Sequence, residues 1–234
     1  MIPKIFKMQT VTISLIALAL ISCAKKDSDK IGDAQACLDT STRANVSQCV
    51  EKVSGIETSG AYVIRCAAAF IQEGFDDATR LSTAISNMGS STGASAINSS
   101  ISAMGTLAFT SGSTSAINSA NAQAAQSYCS KSGSKGLILL ASISSFATTV
   151  LTYGSTTSIT TGLSTAKDNA DAQALVGSAV LAAYSSNCTG TVASNQQFCT
   201  QFTSVVSNSG SNTSSTCIGK QAMYYYLGST TTCP

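Results

Sequence analysis

The chain holds only two prolines, Pro3 and Pro234, one near each end. Everything between them is built without the residue that locks φ and lacks a backbone donor. A β-sandwich of this length spends prolines on turns and edge strands, whereas helix interiors exclude them. The long proline-free interior therefore points to an all-α protein.

Helical spacing agrees with this. Val46, Cys49, Val50 and Val53 recur at i, i+3, i+4 and i+7, with Thr40-Ser41-Thr42 before them and Gly55 after. The stretch ETSGAYVIRCAAAFIQEGFDD carries a Thr58 or Ser59 cap, a face of Ala61, Ile64, Ala68 and Ile71, and a stop at Gly74. Asp76 can cap a helix bearing Leu81, Ala84, Ile85 and Met88, and Ile97, Ile101, Met104 and Ala108 mark another. The letters SAIN at Ser95–Asn98 return at Ser115–Asn118, a weak sign of a duplicated helical unit. Later helices are expected near Leu137–Tyr153, Leu163–Tyr184, Asn195–Val206 and Thr216–Leu227. The reading is an all-α bundle of about eight to ten short helices. An α+β fold is the alternative, because Ser and Thr hydroxyls compete for the helix backbone. Its candidate strands are TYGSTTSITTG and NCTGTVAS.

The amino terminus has a separate logic. Lys4 and Lys7 precede an uncharged apolar run, Val11–Ile21, that ends at Ser22-Cys23 and turns at once into AKKDSDK. The run has the length of a secretory signal and falls short of the ~20 residues of a membrane span. Leu20-Ile21-Ser22-Cys23 resembles the lipobox of bacterial lipoproteins. The resemblance implies that residues 1–22 are a signal peptide cut before Cys23. It further implies that the Cys23 thiol receives a diacylglycerol and that the new amino terminus is acylated. Acyl chains contribute roughly 0.8 kcal/mol per buried CH₂, so a chain held by them needs no helical span. Ala24, where retained members of that class carry Asp, implies export to the outer membrane. The membrane is then a partner through Cys23, residues 23–30 are a lipidated tether, and residues 31–234 are the folded domain, with a subdivision near 131–136 as an option. This resemblance covers only the first tenth of the chain.

Setting Cys23 aside leaves eight of the nine cysteines: Cys37, Cys49, Cys66, Cys129, Cys188, Cys199, Cys217 and Cys233. An even number in an exported chain is what a disulfide framework requires. The chain has no histidine and no Cys-x-x-Cys pair, so a metal centre is not expected, and no cofactor motif is present. Eight cysteines allow about a hundred connectivities. Local closure would join Cys37 to Cys49, Cys188 to Cys199 and Cys217 to Cys233, leaving Cys66 with Cys129 as the long-range link.

Charged residues make up only 10% of the chain, well below the roughly 25% of ordinary soluble domains. No charged residue lies between Arg80 and Lys131 or between Asp171 and Lys220, so hydroxyls and amides must supply solubility there. Loss of Lys4 and Lys7 with the signal leaves eleven basic against eleven acidic residues. With no net field, nucleic acid is not an expected partner.

Two features address activity. Without histidine, Ser-His-Asp and Cys-His mechanisms are impossible. Ser-x-x-Lys occurs at Ser132–Lys135 and Ser164–Lys167, and the second superficially resembles the nucleophile motif of penicillin-binding proteins and serine β-lactamases. The supporting pieces are misplaced, since KSG at Lys131–Gly133 precedes the motif and SSN at Ser185–Asn187 has no context. Glu73, Asp76 and Asp77 cluster at a turn, where an acid/base pair or a calcium site competes with simple helix-end electrostatics. Lys167, Asp168 and Asp171 read as a solvated helix face. The aromatic run Tyr224-Tyr225-Tyr226 places at least one ring at a surface or contact position.

Gly136–Tyr153 is the longest apolar segment, and Ala172–Tyr184 is a second run rich in small residues. Together they could form an inserting hydrophobic hairpin. The other reading is a central helix that is apolar all round because neighbours surround it. The sequence thus supports a lipid-anchored, disulfide-stapled, non-enzymatic module of the bacterial outer membrane that contacts an envelope protein or a glycan. The alternatives are a membrane-active protein and, further off, a Ser-Lys hydrolase.

Overall fold

A computed structural model describes residues 26–75, 94–189 and 196–233. Among these residues there are ten helices and no strand: α1 (Asp27–Leu38), α2 (Val46–Glu51), α3 (Ser59–Gln72), α4 (Ala94–Thr106), α5 (Ser115–Ser132), α6 (Lys135–Gly154), α7 (Ile159–Ala166), α8 (Ala170–Asn187), α9 (Gln196–Asn208) and α10 (Ser215–Tyr226).

The hydroxyl- and amide-rich composition that weakens helix interiors starts the helices instead. Thr58 Oγ1 accepts from the Ala61 amide at 3.5 Å, and Thr114 Oγ1 from that of Ile117 at 3.2 Å. Asn169 Oδ1 accepts from Ala172 at 3.0 Å, and Ser214 Oγ from Cys217 at 3.3 Å. Each satisfies a donor that the first turn leaves without a helical partner. At the other end, Gly133 closes α5 at φ +71°, a left-handed conformation that glycine adopts without a Cβ penalty.

The expected single helix over Leu163–Tyr184 is in fact two. Lys167, Asp168 and Asn169 separate α7 from α8, and the Asn169 cap is the local reason. TYGSTTSITTG is not a strand. Its first residues end α6, Ser155 turns the chain at φ +49°, and Ile159–Gly162 opens α7. In NCTGTVAS, Asn187 ends α8 and Gly190–Ser194 lie outside the described residues, as does the helix expected after Asp76. Both SAIN copies sit in the first turns of helices, α4 and α5.

The main core forms around α6. Every residue from Ala141 to Val150 is buried, including Ser142, Ser144, Ser145, Thr148 and Thr149. Such all-round burial follows from neighbours on every side: α5, α7 and α8 pack along α6, and α10 packs on α8. Thr148 shows how a hydroxyl is accommodated there. Its Oγ1 donates to the Ser144 carbonyl at 2.7 Å and accepts from the Phe109 amide at 2.8 Å. By length and composition α6 is the one helix among the described residues able to cross a membrane, yet 61% of its most apolar window is buried inside the protein.

A second, smaller core joins α1, α2 and α3 through Ala34, Leu38, Val46, Val53 and Ile64. Helix α3 serves both cores, because Ile64 and Ala68 face the small one while Cys66 and Phe70 face the large one. Helices α5 and α6 are joined across Gly133-Ser134 and pack along each other.

Four disulfides hold these layers. They pair Cys37 with Cys49, Cys66 with Cys129, Cys188 with Cys199 and Cys217 with Cys233, at Cα separations of 5.5, 5.0, 5.2 and 5.6 Å, all within the usual range. These are the local pairs and the one long-range link expected from spacing. The first bolts α1 to α2, the second α3 to α5, the third the end of α8 to α9, and the fourth ties the carboxyl-terminal segment to α10.

Candidate functional site

The residues singled out for catalysis are engaged in local structure. Ser132 is buried; its Oγ donates to the Cys129 carbonyl at 2.6 Å and accepts from the Ser134 amide at 3.1 Å, closing the end of α5. Ser164 Oγ donates to the Thr160 carbonyl at 3.3 Å. Lys167 pairs with Asp168, whose carboxylate also accepts from the Tyr224 hydroxyl at 3.1 Å. Both bonds, that of Lys167 first, hold the Asp168 carboxyl below its ordinary value. Ser132, Ser164 and Lys167 are therefore each held by a partner outside the Ser-Lys pair.

Glu73 is almost fully buried and organises backbone. Its Oε2 accepts from the Thr110 and Ser111 amides at 3.2 and 3.0 Å, and its Oε1 accepts from Asn121 Nδ2 at 3.4 Å. A carboxylate in this position substitutes for the helix or sheet partner that the loop before α5 lacks. Asp76 and Asp77 lie outside the described residues. No cluster of metal-ligating side chains occurs among the described residues.

The tyrosine run divides by depth. Tyr224 and Tyr225 are half-buried, but Tyr226 is only 2% exposed and so is not part of any contact surface. Consecutive helix positions point apart, and the third ring is the one that turns inward. It packs edge-on against Phe146 at 5.5 Å, and its hydroxyl donates to Gln201 Oε1 at 3.2 Å, while Gln201 Nε2 donates to Ser100 Oγ at 3.3 Å. Burial pushes the Tyr226 hydroxyl well above its ordinary value.

Two groups of residues acquire meaning only in three dimensions. In the first, Tyr62 on α3 donates to Glu57, and its ring lies 4.9 Å from the Arg65 guanidinium and 5.0 Å from Lys131 Nζ. The Tyr62 bond, with help from Arg65 and Lys131, holds the Glu57 carboxyl below its ordinary value. Arg65 is further fixed by donating to the Val53 carbonyl at 2.9 Å.

The second group adjoins Arg65. A groove of about 300 Å³ runs between α2, α3 and α5. Its depth is apolar, with Val50, Ala68 and Ala69, and Tyr128 lines it from α5. Glu51 and Gln72 are exposed at its rim. A wider depression between α1 and α2 is lined only by exposed or half-exposed residues and has no buried floor. The cysteine spacing marks the neighbourhood of the groove, since Val50, Arg65 and Tyr128 each adjoin a half-cystine. Their convergence, however, is a matter of pairing. Ile117 is the one large apolar side chain exposed among the described residues.

Comparison with protein-family models, with curated proteins and with solved structures returned no match.

Proposed function

We propose that this chain is a lipid-anchored lipoprotein of the bacterial outer membrane whose helical domain is a non-enzymatic interaction module. The observation that carries the reading is the cysteine arithmetic. Four disulfides use eight of the nine cysteines, and the one left over is Cys23, the residue that closes the lipobox-like LISC. Disulfides form and persist in oxidising compartments, which agrees with export. Helix α1 starts at Asp27, so a Cys23 anchor would leave only a short polar tether between membrane and fold.

The alternative of an inserting hairpin would have to expose Ala141–Val150 of α6 together with the buried side of α8. The burial of those residues supports the module instead. The test is expression of the full chain with a radiolabelled or alkyne-tagged fatty acid, followed by fractionation of the envelope. The wild-type chain is expected to carry the label and to sediment with outer membranes. Cys23→Ser is expected to lose the label and to leave the membrane fraction. A labelled Cys23→Ser chain, or an unlabelled wild-type chain, would overturn the reading.

A further inference from the structure

We infer that the groove between α2, α3 and α5 is a binding site for a pyranose saccharide. This rests on the interaction-module reading and names the partner class of that module.

The chemistry of the lining carries the inference. A pyranose ring has an apolar C–H face and an equatorial belt of hydroxyls, and it is recognised where an aromatic ring lies beside planar polar side chains. Tyr128 supplies the ring from α5. Glu51 and Gln72, exposed at the rim, supply a carboxylate and an amide, planar groups that match vicinal hydroxyls in pairs. Glu51 and Gln72 have no hydrogen-bonding side-chain partner among the described residues, so both are available to a ligand. The Arg65 guanidinium is engaged by Glu57, the Val53 carbonyl and the Tyr62 ring, so Arg65 forms part of the wall and the rim groups carry the recognition.

Size and shape exclude the usual peptide modes. About 300 Å³ is the lower end of small-ligand sites and far short of a trench for an amphipathic helix. No strand edge exists among the described residues for an added β-strand, and one tyrosine does not make a polyproline groove.

The groove is also pre-organised. Cys49 on α2 is bolted to Cys37, and Cys66 on α3 is bolted to Cys129, the neighbour of Tyr128. The Cys66–Cys129 bond next to Arg65 and Tyr128 locks the α3 and α5 walls together, and the small core holds α2 against α3. Rigid walls reduce the ordering cost that makes saccharide binding weak.

The experiment is a titration of the full mature chain in detergent with chitotriose and, separately, maltotriose. It is read by calorimetry and by methyl chemical shifts of Val50 and Ala69. Saturable shifts of those methyls with at least one sugar are expected. Tyr128→Ala should weaken binding about tenfold or more, as for truncation of an aromatic hot spot, whereas Tyr128→Phe keeps the ring and should stay within a few-fold of wild type. Tyr224→Ala, remote from the groove, should bind as wild type, and circular dichroism of each variant checks its fold. Absence of shifts at Val50 and Ala69 with both sugars overturns the inference. So does sugar binding that Tyr128→Ala leaves unchanged in a folded protein, or saturation of the groove by an apolar peptide but by neither sugar. Acyl labelling at Cys23 is measured independently, so failure here leaves the anchored-module reading standing.

Discussion

Gly177 on α8 and Gly219 on α10 meet where two backbones cross too closely for any side chain. A Cβ on Gly177 would lie 1.7 Å from the Ser215 carbonyl oxygen, and one on Gly219 would lie 1.8 Å from that of Gln173. Both obstacles are backbone, which cannot rotate away. Alanine at either position must therefore separate α8 from α10, the pair that seals the core behind α6. The expected destabilisation is roughly 1–3 kcal/mol or more, and the gain in helix propensity of up to about 1 kcal/mol offsets only part of it. Gly32→Ala is the contrasting control, since nothing lies within 4 Å of a Cβ there and the residue is inside α1. Thermal or denaturant unfolding of Gly177→Ala, Gly219→Ala and Gly32→Ala should lower stability in the first two and raise or preserve it in the third.

The disulfides should differ in both contribution and reactivity. Cys66 and Cys129 are 63 residues apart, whereas the other pairs are 11 to 16 apart. The chain-entropy relation gives about 4 kcal/mol for the long link and about 3 kcal/mol for a short one. Replacing both members of the long link by alanine should therefore lower the denaturation midpoint more than replacing Cys217 and Cys233. Access adds a second ordering. Cys66 and Cys129 are fully buried, while Cys37, Cys188 and Cys233 are half-exposed. Thiolate attack needs access to sulfur, so partial reduction followed by mass spectrometry should find Cys66–Cys129 intact last.

Tyr226 makes stability fall in alkali. In the unfolded chain the hydroxyl loses its proton near the ordinary value of 10.0, whereas burial holds the proton on in the fold. Above that pH the folded state binds more protons than the unfolded state, so stability declines as pH rises. The contribution is fully present below about pH 10. Tyr226→Phe removes this dependence and leaves Gln201 without its donor, at a cost of about 1 kcal/mol near neutrality. Urea midpoints measured from pH 8 to 11 should fall less steeply for Tyr226→Phe than for the wild type. Parallel slopes would show that Tyr226 titrates normally in the fold.

Much of the architecture was legible because its signals are local. Proline exclusion, the i, i+3, i+4 spacing of Val46, Cys49 and Val50, and the Thr58 cap are short-range properties, and the fold is all-α with those residues where spacing places them. Disulfide pairing was legible for a related reason. Closing a short loop is the least demanding contact a chain can make, so neighbours such as Cys188 and Cys199 find each other. The break at Lys167–Asn169 was missed because the apolar pattern runs through it, and a single Asn cap outweighs that pattern.

The sequence by itself determined helix, cysteine count and the scarcity of charge, since each follows from residue chemistry or from neighbours along the chain. Only the tertiary structure decided that Glu73 holds the Thr110 and Ser111 amides, that Tyr226 turns inward while Tyr224 meets Asp168, and that Glu51, Arg65 and Tyr128 line one groove. The physical reason is distance along the chain. Contacts between positions tens of residues apart depend on which helix faces meet, and in a chain so rich in Ser, Thr and Ala the letters on competing faces differ too little to say which will.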